Sequence, residues 1–519
     1  MDFINIKVHV IGIGGIGVSG LARFLKAQGA ILSGSDIAHT TITKGLEQEG
    51  ITINIPHAKE IIADKDIIIH SAIIKDSNIE IQESKRLGKM ILSRKEALKI
   101  LLKNKQVLSI CAAHGKSSTS AILSAIMKNS GAIIGAISKE FHSNVRVSTD
   151  KLLVFEADES DKSFLNSNPY KSIVINAEAE HLESYEYNFE NLKNAYKEFI
   201  CLAKQAIVNM ECETLQEIIK SIESTQNSTQ TSAQDSHSTD IIKFYPSKDI
   251  RDISYSLQDN LPYTNFSLRD LGRFQVYGIG LHNAINASLA ILSALDIIPL
   301  ATIKENLLNF TGIKKRFDVL QYFMRDMNVS DSDTFTLQNI QQPAQNATQK
   351  ELDFSTQQPC IIDDYAHHPT EIKATLSAAR IYADLLYKQA HAHIIPQTKD
   401  TIYHNYDTHN NKHRLRITAI FQPHKYSRLR DNLEDFRTCF TDCDSLVILP
   451  VWAAGEEKID FDFAKLFSHY QPIFAKRIQR IGKQIALINN QDSLMDILDS
   501  DIIIGLGAGD ITYQLRGEK

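Results

Sequence analysis

Lys116 and Ser117 stand where a strand-like apolar run, Val107 to Ile110, passes through a small-residue turn into a helical pattern from Ala121 to Met127. The first N–H groups of a helix have no intrahelical acceptor, and the helix dipole adds positive potential, so such a junction is an anion site. A lysine there is a mobile charge for β- and γ-phosphates, and a serine hydroxyl is a natural Mg²⁺ ligand. The stretch Ala112, Ala113, His114, Gly115, Lys116, Ser117, Ser118 is shorter than the full form G-x-x-x-x-G-K-[ST], and Ala112 stands where a glycine is expected. Ala112 implies a tighter loop, or one that avoids positive φ at that position. A chance Gly-Lys-Ser is the competing reading; the strand before it and the helix after it favour nucleotide binding.

A second glycine turn lies near the start. Val8 to Ile11 reads as a strand, and Gly12, Gly14, Gly15, Ile16 and Gly17 follow it in the pattern G-x-G-x-x-G. That pattern gives a tight turn, close backbone approach to a pyrophosphate and close helix–strand packing. The next strand ends at Asp36, a position that often holds a ribose hydroxyl, and the strand from Asp66 ends in His70 and Ser71. The motif does not choose between NAD and a UDP-sugar. Two successive phosphate-type turns imply two phosphorylated ligands, which a simple dehydrogenase does not need.

Acidic strand ends come next. Leu152–Asp161 closes on Glu156, Asp158 and Glu159, and Ser172–His181 closes on Asn176, Glu178, Glu180 and His181. Carboxylates at the carboxyl edge of a parallel sheet suit Mg²⁺, which takes few protein oxygens beside phosphate and water; a solvated acidic loop is the alternative. His181, beside the second acidic end, is a candidate second-metal ligand. Asn283 and Asn286, one turn apart at a helix start, offer donors and acceptors to a base, and capping would account for one of them. Arg316 in the basic turn Thr311–Asp318 suits phosphate. Further on, Cys360–Glu371 carries His367 and His368, and Leu415–Arg430 ends in a cationic cluster with Lys425 and Arg428, suited to a carboxylate or phosphate.

Elements must hold these groups, and the chain has room for them. With 519 residues, 43% of them hydrophobic, two to four domains are expected. A net charge of −6 argues against a nucleic-acid binder. The six cysteines are scattered without CxxC spacing, which fits a reduced cytosol. Met1–Lys7 has no basic leader, and no apolar run reaches membrane-spanning length, so a soluble cytoplasmic protein without membrane partners is expected. Three polar stretches, 221–240, 324–359 and 389–412, read as disordered or surface insertions; the histidines His391, His393, His404 and His409 in the last favour solvent over metal.

The set Gly12–Gly17, His114–Ser117, Glu156–Ser160, Asn176–His181, His282–Asn286, Arg316–Asp318, Asp364–Glu371 and Gln422–Arg428 resembles the Mur ligase family in motif content and order, over nearly the whole chain outside the polar stretches. The resemblance implies an α/β protein of three domains: an N-terminal Rossmann-like domain for a UDP-sugar (1–105), a central P-loop ATPase (106–317) and a C-terminal Rossmann-like domain for an amino acid (318–519). It implies ATP-dependent joining of L-alanine to UDP-N-acetylmuramate through an acyl phosphate, with Mg²⁺, by a monomer or weak homodimer. By the same resemblance Lys116, His181, His367, His368 and Arg428 are catalytic, and residues 112–118, Asn283, Asn286 and Arg316 bind ATP. Gly14, Gly15, Ile16, Gly17, Asp36, Ser71, Lys425 and Arg428 bind the other substrates, and Ser117, Glu156 and His181 hold metal. Ser117 replaces the family's commoner threonine and keeps the hydroxyl; Lys425 replaces an arginine and gives up a bidentate fork. The sequence leaves open a relative that attaches a preformed murein peptide, and a nucleotide-sugar-binding regulator without turnover.

Overall fold

Runs of β-branched residues bounded by turns build three sheets whose strands are covered on both faces, as parallel strands require. The computed structural model describes residues 3–160, 162–229, 239–322, 324–325, 357–390 and 414–518. The described chain divides into two compact units, residues 1–255 with 263–314 and residues 256–262 with 315–519.

The first unit holds two sheets. Strands β1 (Lys7–Ile11), β2 (Ile31–Ser35), β3 (Thr52–Asn54), β4 (Ile67–His70) and β5 (Met90–Ser93) pair in parallel, in the order β3-β2-β1-β4-β5. The second sheet takes β6 (Gln106–Cys111), β7 (Gly131–Ile133), β8 (Val145–Arg146), β9 (Leu152–Glu156), β10 (Pro169–Val174), β11 (Gln205–Asn209) and β12 (Asp240–Phe244) in the order β12-β11-β10-β6-β9-β7-β8. Only the short β8 runs antiparallel to its neighbour among these described strands. One apolar core joins the two, from Val8, Leu21 and Leu98 to Val107, Phe155 and Phe199.

Polar contacts reinforce that junction. Asn144, beside β8, donates through Nδ2 to the Ile16 carbonyl at 2.9 Å and accepts from Arg23 at 2.6 Å. The helix Ile16–Ala27 approaches so closely there that a Cβ on Gly20 would lie 2.9 Å from Asn144 Nδ2. An antiparallel sheet of β13 (Ile250–Gln258), β14 (Leu261–Leu268) and β15 (Arg273–Tyr277) follows.

The second unit is built on β16 (Asp318–Gln321), β19 (Cys360–Asp364), β20 (Ile417–Phe421), β21 (Ser445–Ile448), β22 (Ile473–Phe474) and β26 (Ile502–Leu506), ordered β16-β19-β26-β20-β21-β22. All pairs are parallel except β16 with β19. The two-residue strands β17 (Met324–Arg325) and β18 (Gln357–Gln358) pair with each other, and β23 (Arg477–Ile481), β24 (Gln484–Ile488) and β25 (Leu494–Ile497) form an antiparallel sheet.

The stretch expected to be irregular from Ser221 is helical as far as Thr229, in the helix Glu213–Thr229. Leu215, Ile218, Ile219 and Ile222 recur at helical spacing and are buried, so their face carries the polar residues after them into the helix. The other two polar stretches are likewise ordered at their edges, where 324–325 and 357–358 pair as strands and 389–390 end the helix Pro369–Ala390; residues 230–238, 326–356 and 391–413, with the four histidines, lie outside the described residues.

Candidate active site

The phosphate-type loop joins β6 to the helix Lys116–Ile126. Its positive φ falls on Gly115, at +87°, and not on Ala112, so an alanine fits where a glycine was expected. Ala112 is fully buried. Asn176, at the end of β10, brackets the loop by accepting from the His114 N–H at 2.9 Å and donating to the His114 carbonyl at 3.0 Å. The Lys116 ammonium turns inward, donating to the carbonyls of Ala112 and Ala113 and to Glu159 Oε1. Ser118 stands half-buried in the first helical turn.

Ser117 and Glu156 meet. The Ser117 hydroxyl donates to Glu156 Oε1 at 2.8 Å, while Ser120 and the Gly135 N–H donate to the other carboxylate oxygen. Three donors thus fix a hard oxygen ligand beside the loop, and an alcohol and a carboxylate suit Mg²⁺. His181 stands elsewhere along this edge. It adopts left-handed backbone (φ +54°) at the start of a short turn, is 40% exposed, and has Nδ1 3.6 Å from Glu183. Among the described residues no three His, Cys, Asp or Glu side chains are gathered as a metal cluster.

His114 reaches Glu180 at 3.2 Å and Glu178 at 3.6 Å. Burial pushes the Glu180 carboxyl up, but the His114 hydrogen bond and the charges of His114, His181 and Lys116 bring it net below the ordinary value. Asn283 and Asn286 lie on the helix Leu281–Ala294, whose N-cap is Gly280, so neither caps it. Asn283 Nδ2 donates back to the Ile279 carbonyl, and buried Asn286 backs the phosphate loop, its Oδ1 2.9 Å from where a Cβ on Gly115 would be.

At the first glycine turn, Gly12 has φ +77° and packs on Ser71, whose Cβ lies 3.1 Å from the place of a Gly12 Cβ. The Gly14 N–H donates to Asp36 Oδ2 at 2.7 Å, and a Cβ on Gly14 would strike that carboxylate. Gly15 is the N-cap of the helix that begins at Ile16. Gly17 leaves room for the Arg94 guanidinium. The residue before Asp36, Ser35, donates to buried Glu80, which also accepts from the Ala58 N–H, and His57 and His9 flank that carboxylate at 3.3 and 3.4 Å.

The second unit gathers the remaining candidates at the carboxyl ends of β19 and β20. Arg316 lies over the Tyr365 ring at 5.5 Å and 3.6 Å from Glu371. His367 Nδ1 donates to the Tyr365 carbonyl at 2.9 Å, which leaves Nε2 as the acceptor. The rings of His367 and His424 meet edge to face at 5.6 Å, and Arg428 donates to His424 Nδ1 at 3.2 Å. His368 Nε2 donates to Asn432 at 3.1 Å. Lys425, with φ +67°, starts the helix Tyr426–Asp431 and donates its N–H to the Trp452 carbonyl.

Burial lowers His367 to about 4, against Glu371 and with help from Arg428 and His424. His424 falls to about 4 through burial and the charges of Arg428 and Lys425. Burial raises Asp364 to about 6, although Arg316 and the N–H groups of Phe317 and Ala366 oppose the shift.

The sequence marks Glu159 only as one carboxylate of an acidic strand end and does not single out His424. Both lie inside motifs the sequence displays, but only the folded strand ends show which charge each one meets.

The Mur ligase family catalytic domain matches residues 7–106 and the Mur ligase middle domain matches residues 113–294. A UDP-N-acetylmuramate–L-alanine ligase of Helicobacter pylori (strain P12) is 48% identical over 99% of this chain and 96% of that protein. One from Campylobacter curvus is 43% identical over 98% and 99%. The solved UDP-N-acetylmuramate–alanine ligase of Thermotoga maritima shares the fold at a TM-score of 0.69 and 21% identity, covering 99% of this chain and 98% of that one. No described helix is long and apolar enough to cross a membrane. With relatives this similar along almost its entire length, and a three-domain α/β architecture in common, the chain belongs to the Mur ligase family.

Proposed function

We propose that the chain joins L-alanine to the carboxylate of UDP-N-acetylmuramate at the expense of ATP, releasing ADP and phosphate, with residues 1–105, 106–317 and 318–519 serving UDP-sugar, ATP and alanine. The observation that carries this reading is the near-full-length identity of 48% to a ligase of that name. The grouping of Lys116, Ser117 and Glu156 about one phosphate loop supports it.

A carboxylate is a poor acyl donor because its leaving oxygen is too basic. Transfer of the γ-phosphoryl group makes an acyl phosphate; the alanine amine then attacks its carbonyl carbon, and phosphate leaves. Lys116 holds the β- and γ-phosphate oxygens, and the loop N–H groups hold the rest, so catalysis there is positioning and electrostatics. Ser117 and Glu156 would hold Mg²⁺, which when bound supplies charge neutralisation for the transferring phosphoryl group. His181 is assigned to the same acidic edge. Asn283 and Asn286 face the adenine, and Arg316 serves ATP phosphate. Gly14 to Gly17, Asp36 and Ser71 hold the nucleotide sugar. Lys425 and Arg428 take the alanine carboxylate, His368 helps orient it, and His367 Nε2 accepts from the alanine amine.

The test offers the protein ATP, Mg²⁺ and UDP-N-acetylmuramate with L-alanine, glycine, L-serine or a murein tripeptide, and follows phosphate release. L-Alanine gives the highest kcat/KM. Tripeptide preference overturns the acceptor assignment, and no release with any acceptor overturns the reaction.

A further inference from the structure

Arg94 is the first residue of the helix Arg94–Leu102, and its start is fixed by a capping box between Ser93 and Glu96. Its side chain, 12% exposed, crosses from the first sheet to the second. On one side NH2 lies 3.0 Å from the place a Cβ on Gly17 would take, in the opening turn of the helix that follows the glycine turn. On the other side NH1 donates to Ser163 Oγ at 3.2 Å and stands 3.9 Å from Asp158 Oδ2. The cation at the glycine turn is thus tied to the acidic strand end of the second sheet. Neither helix start gains from a cation, since both present positive dipole ends.

We propose that Arg94 is a positioning residue for the nucleotide-sugar diphosphate, its planar fork taking a diphosphate oxygen at the Gly14–Gly17 turn while Ser163 and Asp158 anchor it to the ATP-binding sheet. This rests on the reaction proposed above. An arginine does this where a lysine does not, because a rigid fork engages partners on two sides. The sugar-borne carboxylate is thereby held at a set span from the phosphate loop.

Calorimetry with UDP alone and with Mg²⁺-ADP alone tests this without turnover. Arg94→Ala weakens UDP about tenfold or more, as expected for loss of a charged hydrogen bond, and leaves ADP within about twofold; Arg94→Lys recovers part of the UDP loss. In the ligation assay KM for UDP-N-acetylmuramate rises in Arg94→Ala and KM for ATP does not. Unchanged UDP affinity overturns the proposal. So do equal losses for UDP and ADP with a lowered melting temperature, which mark a purely structural tie. A wild-type protein that ligates nothing while UDP binding follows the expected pattern overturns the reaction and leaves Arg94's role standing.

Discussion

Lys116 Nζ and Glu159 Oε1 stand 2.8 Å apart, and the two side chains are only 17% and 3% exposed. Burial acts against the charge on both. It would lower the lysine, but Glu159 holds Lys116 above its ordinary value, and burial keeps Glu159 above its own despite Lys116. The lysine therefore waits as a cation, and a triphosphate must draw it from Glu159 and from two loop carbonyls. The proposed phosphoryl transfer draws on that stored charge.

Lys116→Ala removes it. Turnover should fall by roughly 10²–10³-fold or more, the scale of losing one aligned donor to developing charge. UDP affinity by calorimetry should stay within about twofold, because the proposed site for that ligand is the glycine turn. Loss of both in a folded variant would contradict the division of labour.

Gly115→Ala tests the loop's shape. At φ +87° an L-residue costs about 1–2 kcal/mol, and the new methyl would press on Asn286. The variant should melt lower and show a higher KM for ATP, with KM for alanine little changed. A steady-state series with a melting curve checks this.

Lys425→Arg restores a fork where the chain carries a point charge. KM for L-alanine should fall several-fold while KM for ATP holds, since guanidinium–carboxylate pairing is bidentate. An unchanged alanine KM would show that Lys425 does not meet the carboxylate.

The pH dependence follows from His367, His424 and Asp364. Both histidines titrate near 4 in the folded chain and near 6.5 when unfolded, so between these values the unfolded state binds more protons and stability falls as pH drops. Asp364, raised to about 6, works the other way, adding stability as pH falls from about 6 toward its unfolded value. Two histidines outweigh one carboxyl, because each unfolded imidazole takes up its proton at a pH above that at which Asp364 does. The melting temperature should therefore decline from pH 7.5 to 5.5, and less steeply in His367→Asn. Equal slopes would refute the assignment.

The parallel strands were legible because burial on both faces leaves apolar runs, as in Ile67–Ile69, and the helix after the phosphate-type loop showed in the apolar pattern from Ala121. The antiparallel strands β13–β15 were not. There Arg251 and Asp252 interrupt the apolar pattern, and a sheet with one wetter face needs no continuous run. At the site, residue types and order pointed to Lys116, Ser117 and Glu156. The partnership of Lys116 with Glu159, 43 residues apart, depends on how β9 bends after its last pair, and composition does not encode that.

Asn286 gives the helix proposed to face adenine a second task. Because its amide fills the space behind Gly115, the proposed base contact and the phosphate loop share one mechanical part. Re-engineering the purine preference at that asparagine would slacken the anion cradle as well. Compounds that wedge this helix outward would disarm the enzyme without touching the phosphate loop itself.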